Sequence, residues 1–161
     1  MHVLIDGNNL QYAAAEAGPW DEPGRVRLCH ILGEWGKKQN KLVVVVFDGA
    51  PPPSGVTALM RQGGIEVRFS GPGRSADDLL VEAIGVHSAP RRLVVVSSDR
   101  LIRAAAKRRG CRAVGSAAFV RELVRGLRRP PPGPAEPPEK RSGPSPEDSE
   151  LWLRLFDADE S

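Results

Sequence analysis

The 161 residues suit one domain of ordinary size, and with 40% hydrophobic and 27% charged residues the composition is that of a globular protein, not of a disordered or membrane-embedded one. The longest aliphatic run, Leu42–Phe47, is far short of the roughly 20 residues of a membrane helix, and the first residues carry neither a basic leader nor a long apolar stretch. Cys29 and Cys111 belong to no Cys-x-x-Cys or Cys/His cluster, which disfavours a zinc site or a disulfide framework, so a cytoplasmic protein with reduced thiols and no membrane contact is expected.

Along the chain, short strand-like stretches alternate with longer ones of helical spacing. A strand at 3–5 precedes a helix over 10–17, and a helix over 25–38 precedes the strand 42–47. The helix 56–62 leads to the strand 65–69, the helix 76–87 to the strand 93–96, and the helix 99–109 to a short strand at 112–114 and a last helix over 116–127. Gly63 and Gly110 stand where two of these helices end. The strands are β-branched and mostly continuous in apolarity, as strands covered on both faces are. This order predicts an α/β fold with a central parallel sheet, wrapped by helices through right-handed connections.

The last part of the chain has a different composition. Eight of the 15 prolines fall in 130–146, with Gly, Ser and Glu and almost nothing to bury, so this stretch reads as a disordered linker. In 147–161, Leu151, Trp152, Leu155 and Phe156 share one face at helical spacing, which predicts a short C-terminal helix that docks on a partner or returns to the body. The expected organisation is a domain over 1–129, a linker over 130–146 and an acidic amphipathic segment over 147–161. Charge follows the same division: residues 1–129 hold 20 Lys and Arg against 12 Asp and Glu, and residues 130–161 hold 3 against 8. Residues 100–129 alone hold 10 basic side chains and one acid, Glu122, a concentration that attracts polyanions. An Arg-rich helix face is also an ordinary solvated surface, but nucleic-acid binding is the favoured account.

In parallel α/β sheets ligands meet the carboxyl ends of the strands, and acids are gathered there. Asp6 follows the first strand, Asp48 the second and Asp99 the fourth, after Ser97 and Ser98, while Asp77 and Asp78 open the helix after the third. Any one Asp after a strand is ordinarily a helix cap or a turn residue. Several together repel and desolvate one another unless a cation neutralises them, and hard oxygen donors suit Mg²⁺ or Mn²⁺. Beside Asp6, Gly7 allows close backbone approach, and Asn8 and Asn9 place amides next to a metal or phosphate at a helix start. Ser97 and Ser98 either cap the following helix or bond a phosphate or a metal-bound water. His2, His30 and His87 lie away from the strand ends, so no nucleophilic triad forms. Gly71-Pro72-Gly73 lacks the dinucleotide spacing, and no Gly-Lys-Ser/Thr loop exists.

IDGNN at 5–9, VVFDG at 45–49, SADDLL at 75–80 and SSDR at 97–100, in this order, resemble the YacP-like branch of the NYN domains, relatives of the PIN-domain nucleases. The similarity covers approximately residues 1–127. It implies a three-layer α/β/α PIN-like fold and metal-dependent endonucleolytic cleavage of RNA. Asp6, Asp77 and Asp99 match the family's acidic positions, Asn9 its Asn, and Asp48 the acid after the second strand. The proline-rich stretch and the terminal segment lie outside the resemblance.

Together these observations predict an Mg²⁺- or Mn²⁺-dependent endoribonuclease. Asp6, Asp77 and Asp99 would hold metal directly or through water, and a bound water of lowered pKa would attack phosphorus in line. Asp48 and Asp78 would complete the charge balance or orient water, and Asn9, Ser97 and Ser98 would position a metal-bound water or the scissile phosphate. Arg100, Arg103, Lys107 and Arg108 would carry the flanking RNA backbone. Aromatic residues are only 5% of the chain, so base stacking and strong sequence readout are not expected. The expected partners are RNA, with a ribosome or an RNA-processing assembly as its setting, and a protein bound by the terminal segment. The alternatives are a non-catalytic RNA-binding adaptor that recruits its partner through that segment, a DNA-directed nuclease and a metal-dependent phosphatase.

Overall fold

Because the central strands are apolar on both sides, they can support two cores, and the fold uses both. The computed structural model describes residues 1–21 and 23–128, so the linker over 130–146 and the segment over 147–161 lie outside the described residues. Five strands, β1 (His2–Asp6), β2 (Leu42–Phe47), β3 (Glu66–Phe69), β4 (Leu93–Val96) and β5 (Arg112–Val114), form one parallel sheet in the order β3-β2-β1-β4-β5. The helices are α1 (Gly7–Ala17), α2 (Arg25–Gln39), α3 (Ser54–Arg61), α4 (Ala76–Val86), α5 (Arg100–Arg109) and α6 (Ser116–Arg128).

The period-2 alternation of the strands sorts side chains into two layers. Val3, Ile5, Val45, Phe47, Val94 and Val96 face one way, against Leu10 of α1, Leu32 and Trp35 of α2, Met60 of α3 and Phe119 of α6. Leu4, Val46 and Val95 face the other way, against Leu80 and Ile84 of α4 and Ile102 and Ala106 of α5. The result is the expected three-layer α/β/α arrangement. Strand order places β1 at the centre, with β2 and β4 on either side, so the residues that follow these three strands emerge side by side on one edge.

Where the elements differ from expectation, a specific residue accounts for it. Helix α1 begins at Gly7, not near residue 10, because Asp6 ends β1 and caps α1 at once. A Cβ on Gly7 would lie 2.6 Å from Cε1 of Phe47 and 2.9 Å from Cγ1 of Val45, so only glycine lets the helix start this close to β2. Gly110, at φ 84°, ends α5 as expected, its N–H reaching Ala106 O and Lys107 O. Gly63 instead packs face to face with Gly33 of α2. A 3-10 turn at Pro90–Arg92, not foreseen, leads into β4. Cys29 and Cys111 are buried free thiols, and burial pushes the Cys29 thiol up to about 12. Among the described residues no helix is long and apolar enough to cross a membrane.

Gly7→Ala is expected to destabilise the protein by about 1–3 kcal/mol, since the added methyl must displace the buried ring of Phe47. Chemical denaturation checks this, and unchanged stability would show that α1 does not depend on this close approach.

Candidate active site

Asp6 is 6% exposed where the central strand turns into α1. Its Oδ1 accepts the Asn9 N–H at 3.4 Å, and its Oδ2 accepts the hydroxyl of buried Ser97 at 3.1 Å. The Ser97 oxygen in turn accepts the Asp99 N–H at 3.1 Å, so one hydroxyl fixes the acid after β1 relative to the acid after β4. Asp99 caps α5 through Oδ1, which accepts from Leu101 N–H at 2.8 Å and Ile102 N–H at 3.2 Å. The cap expected from Ser97 or Ser98 is therefore supplied by Asp99, and Ser97 acts as the bridge between the acids.

Asn9 is held just as closely. Its Oδ1 accepts the Ser98 N–H at 3.0 Å and the hydroxyl of Ser116, while Ser98 Oγ accepts the Ser116 N–H at 3.1 Å. With the amide oxygen occupied by the loop after β4 and the first residue of α6, the two Nδ2 hydrogens are what Asn9 has left to offer a ligand. Ser116, 1% exposed, is absent from the sequence-derived set, although it follows the fifth strand as the acids follow theirs.

Asp48 and Asp77 complete the edge. Asp48 Oδ1 accepts the Ala76 N–H at 2.9 Å and the Ser70 hydroxyl at 3.3 Å, and Ser70 Oγ accepts the Gly49 N–H at 2.8 Å. The Asp48 N–H donates to Asn8 Oδ1 at 2.8 Å. Asp48 thus draws the first residue of α4 toward the end of β2, and Asp77 is the next residue of that helix. Asp78 goes elsewhere. It forms a capping box with Ser75, accepting the Ser75 N–H at 3.0 Å while Ser75 Oγ accepts the Asp78 N–H at 3.2 Å. These bonds, aided by the charge of Arg74, hold its carboxyl below the usual carboxylate range. Consecutive helical residues diverge by about 100°, so the cap that takes Asp78 leaves only Asp77 for the site.

Repulsion couples the acids to one another. Burial raises the pKa of Asp6 most, and the charges of Asp77 and Asp99 add to it. Asp77 is raised by partial burial and then by Asp99, Asp48 and Asp78. Among the described residues none of Asp6, Asp48, Asp77 and Asp99 forms an ion pair with Lys or Arg. Nor do any three His, Cys, Asp or Glu side chains converge closely enough there to hold one metal ion among them, so the acids form an open cluster, not a closed cage. An uncompensated set of carboxylate oxygens fits a hard divalent cation and offers nothing to a soft one.

The basic residues expected to contact RNA lie on α5, running away from this edge. Arg100 directly follows Asp99 and is exposed, Arg103 is half-buried, and exposed Lys107 and Arg108 lie roughly two turns farther on. Arg109 is taken up structurally, donating to Ile84 O at 3.2 Å and His87 O at 2.6 Å. Arg25, which no local motif marks, donates to Asp48 O at 3.3 Å and lies 4.7 Å over the Phe47 ring. His2 pairs with His87 and His30 bonds Leu59 O at 2.8 Å, all apart from the acids.

The sequence model of the YacP-like NYN domain matches residues 3–129. Two crystal structures share the fold. A mutant of Rae1 (YacP) from Bacillus subtilis superposes with a TM-score of 0.61 at 20% identity, covering 97% of this chain and 92% of that one. A second structure of Rae1 (YacP) from Bacillus subtilis gives 0.59 at 21% identity, covering 98% and 92%. Among curated protein sequences none matches significantly.

Repulsion among the acids has a measurable consequence. A folded-state pKa raised above the unfolded value near 3.8 means that ionisation opposes folding: the stability is fully present below that value and is lost as pH rises through the folded pKa. Asp77→Asn, which removes a charge and no hydrogen bond to a described residue, is therefore expected to match or exceed the wild type in EDTA at pH 7. The gain should be at most about 1 kcal/mol for so exposed a group, and should vanish in acid. A variant clearly less stable than wild type under these conditions would show that Asp77 is held by a favourable contact.

Proposed function

We propose that this chain, which belongs to the YacP-like NYN domain family, is a divalent-metal-dependent endoribonuclease acting in the cytoplasm. The observation that carries the reading is the row of acids at the carboxyl edge, Asp6, Asp77 and Asp99: the charges of Asp77 and Asp99 add to the raised pKa of Asp6, that of Asp99 adds to the raised pKa of Asp77, and among the described residues no cationic side chain neutralises the three.

Asp6, Asp77 and Asp99 would hold Mg²⁺ or Mn²⁺, directly or through water. Such an ion supplies Lewis-acid stabilisation of phosphoryl oxygens and a nucleophilic water at neutral pH. The remaining work belongs to the chain. Ser97 fixes Asp6 and Asp99 relative to each other, and Asp48 places the start of α4 that carries Asp77. Asn9, its oxygen occupied by Ser98 and Ser116, turns its Nδ2 hydrogens toward a non-bridging phosphate oxygen. Arg100 at the start of α5 meets the flanking phosphate, with Arg103, Lys107 and Arg108 extending that path along the helix. Asp78, committed to its cap, has no part in this account. The substrate is RNA, and nothing among the described residues singles out a ribosome or another assembly as its setting.

The test is cleavage of a fluorescent single-stranded RNA in Mn²⁺. Asp6→Asn and Asp99→Asn keep a carbonyl acceptor for the helix caps and remove a charge, so both should fold and lose at least about 100-fold in cleavage, while Ser116→Ala should lose about 10-fold. Unchanged cleavage in the folded Asp variants would overturn the reading, and equal cleavage of the matching DNA would redirect it to nucleic acid in general. Neutralising Arg103, Lys107 and Arg108 together should flatten the salt dependence of RNA binding by about 0.7–0.9 in log-log slope for each phosphate no longer neutralised. An unchanged slope would place the RNA path off α5.

A further inference from the structure

Helices α1 and α6 both start at the acidic edge, Gly7 directly after Asp6 and Ser116 against Asn9. Their far ends, roughly 15 Å away, enclose a groove of about 710 Å³. Val124 of α6 and Ala17 and Pro19 at the end of α1 and beyond give it apolar walls, and Arg121, Arg125 and Arg128 line it from one face of α6 at spacings of four and three. No guanidinium of the three has an ion pair or hydrogen bond to another described residue. The acid of α6, Glu122, is 5% exposed and turned into the protein. Three cations unpaired among the described residues, around an apolar trough, make a surface that asks for a ligand carrying both carboxylates and large apolar side chains.

We propose that the ligand is the chain's own acidic segment, residues 147–161, docked in the groove between α1 and α6. The inference is independent of the nuclease reading. The segment holds six acids, Glu147, Asp148, Glu150, Asp157, Asp159 and Glu160, against one base, Arg154. These acids stand on both sides of Leu151, Trp152, Leu155 and Phe156, so apolar side chains can cover the trough while carboxylates reach the flanking arginines. Arg128, the last described residue, is itself part of the groove wall, so the chain departs from the site it would reoccupy. Eighteen residues, 129–146, lie between, with a covalent reach of up to about 60 Å. A tether of that length holds the segment at an effective concentration on the order of millimolar, enough for a contact too weak to form between separate molecules. An RNA strand would satisfy the arginines and leave the apolar walls bare, which is why the segment is the better occupant.

The experiment uses the whole 161-residue chain labelled with 5-fluorotryptophan, which reports on Trp20, Trp35 and Trp152, with Trp152→Phe to assign the third ¹⁹F resonance. The Trp152 signal should differ from that of a synthetic 146–161 peptide and should move to the peptide position in Arg121→Glu/Arg125→Glu/Arg128→Glu. The Trp35 signal, which reports on the packing of α6 through the edge contact with Phe119, should stay where it is. Glu147→Lys/Asp148→Lys/Glu150→Lys, which leaves the body untouched, should release Trp152 in the same way. A wild-type Trp152 signal at the free-peptide position, or one unmoved by both sets of reversals, would overturn the proposal. So would a shift that depends on protein concentration, which would assign the groove to a second copy. A fourth contrary result is a 20-mer single-stranded RNA whose binding the arginine reversals weaken while Trp152 stays in place, which would make the groove an RNA path.

Discussion

At Asp6 the central strand passes into α1 with no loop between them, and the arrangement of the whole carboxyl edge follows from that junction. One side chain is simultaneously the last residue of β1, the cap of α1 and a buried carboxylate. Gly7 makes the junction sterically possible, and Ser97 transmits its position to Asp99 on the neighbouring strand. The same economy recurs at Asp48, whose carboxylate closes its own loop through Ser70 and draws in α4. Polar side chains that a simpler sheet edge would spend on turns are here used to set acids at fixed positions relative to one another.

That placement opposes folding. Burial and like charge both favour the neutral form of Asp6 and Asp77, and no Lys or Arg relieves them among the described residues. The protein is nevertheless rich in arginine, and several guanidinium groups are used elsewhere, Arg74 on Glu82, Arg109 on carbonyls at the end of α4, Arg25 on the Asp48 carbonyl. That the acids stay uncompensated among the described residues is the physical content of the nuclease proposal, which fills the site with a cation from solution.

The sheet was legible in the sequence because β-branched runs such as Leu42–Phe47 have no other stable use in a chain of this size, and the order of strands and helices left few topologies to choose from. The exact start of α1 was not, because the apolar helical spacing begins at Leu10 and Gly7, Asn8 and Asn9 are poor helix formers that join the helix only because Asp6 caps it. Its position beside Asp77 places Asp78 in the site, and the structure gives it to the cap instead, although Ser75 three residues before it is a capping-box signature and the helical period forbids neighbouring residues from sharing a direction. The partners of Ser116 and Arg25 could not be found locally, although Ser116 stands just after a strand. Ser116 meets Asn9 across 107 residues and Arg25 meets Asp48 across 23, so their roles exist only once the crossovers of the sheet have been made.

Family membership and a shared fold at 20–21% identity agree with this picture without assigning a role to any side chain, so the central claim remains one about chemistry at a particular place. Anomalous diffraction from a crystal soaked in Mn²⁺ tests it most directly. The account predicts a peak within coordination reach of at least two of Asp6, Asp77 and Asp99, and peaks found only elsewhere, or none at this edge, would contradict it.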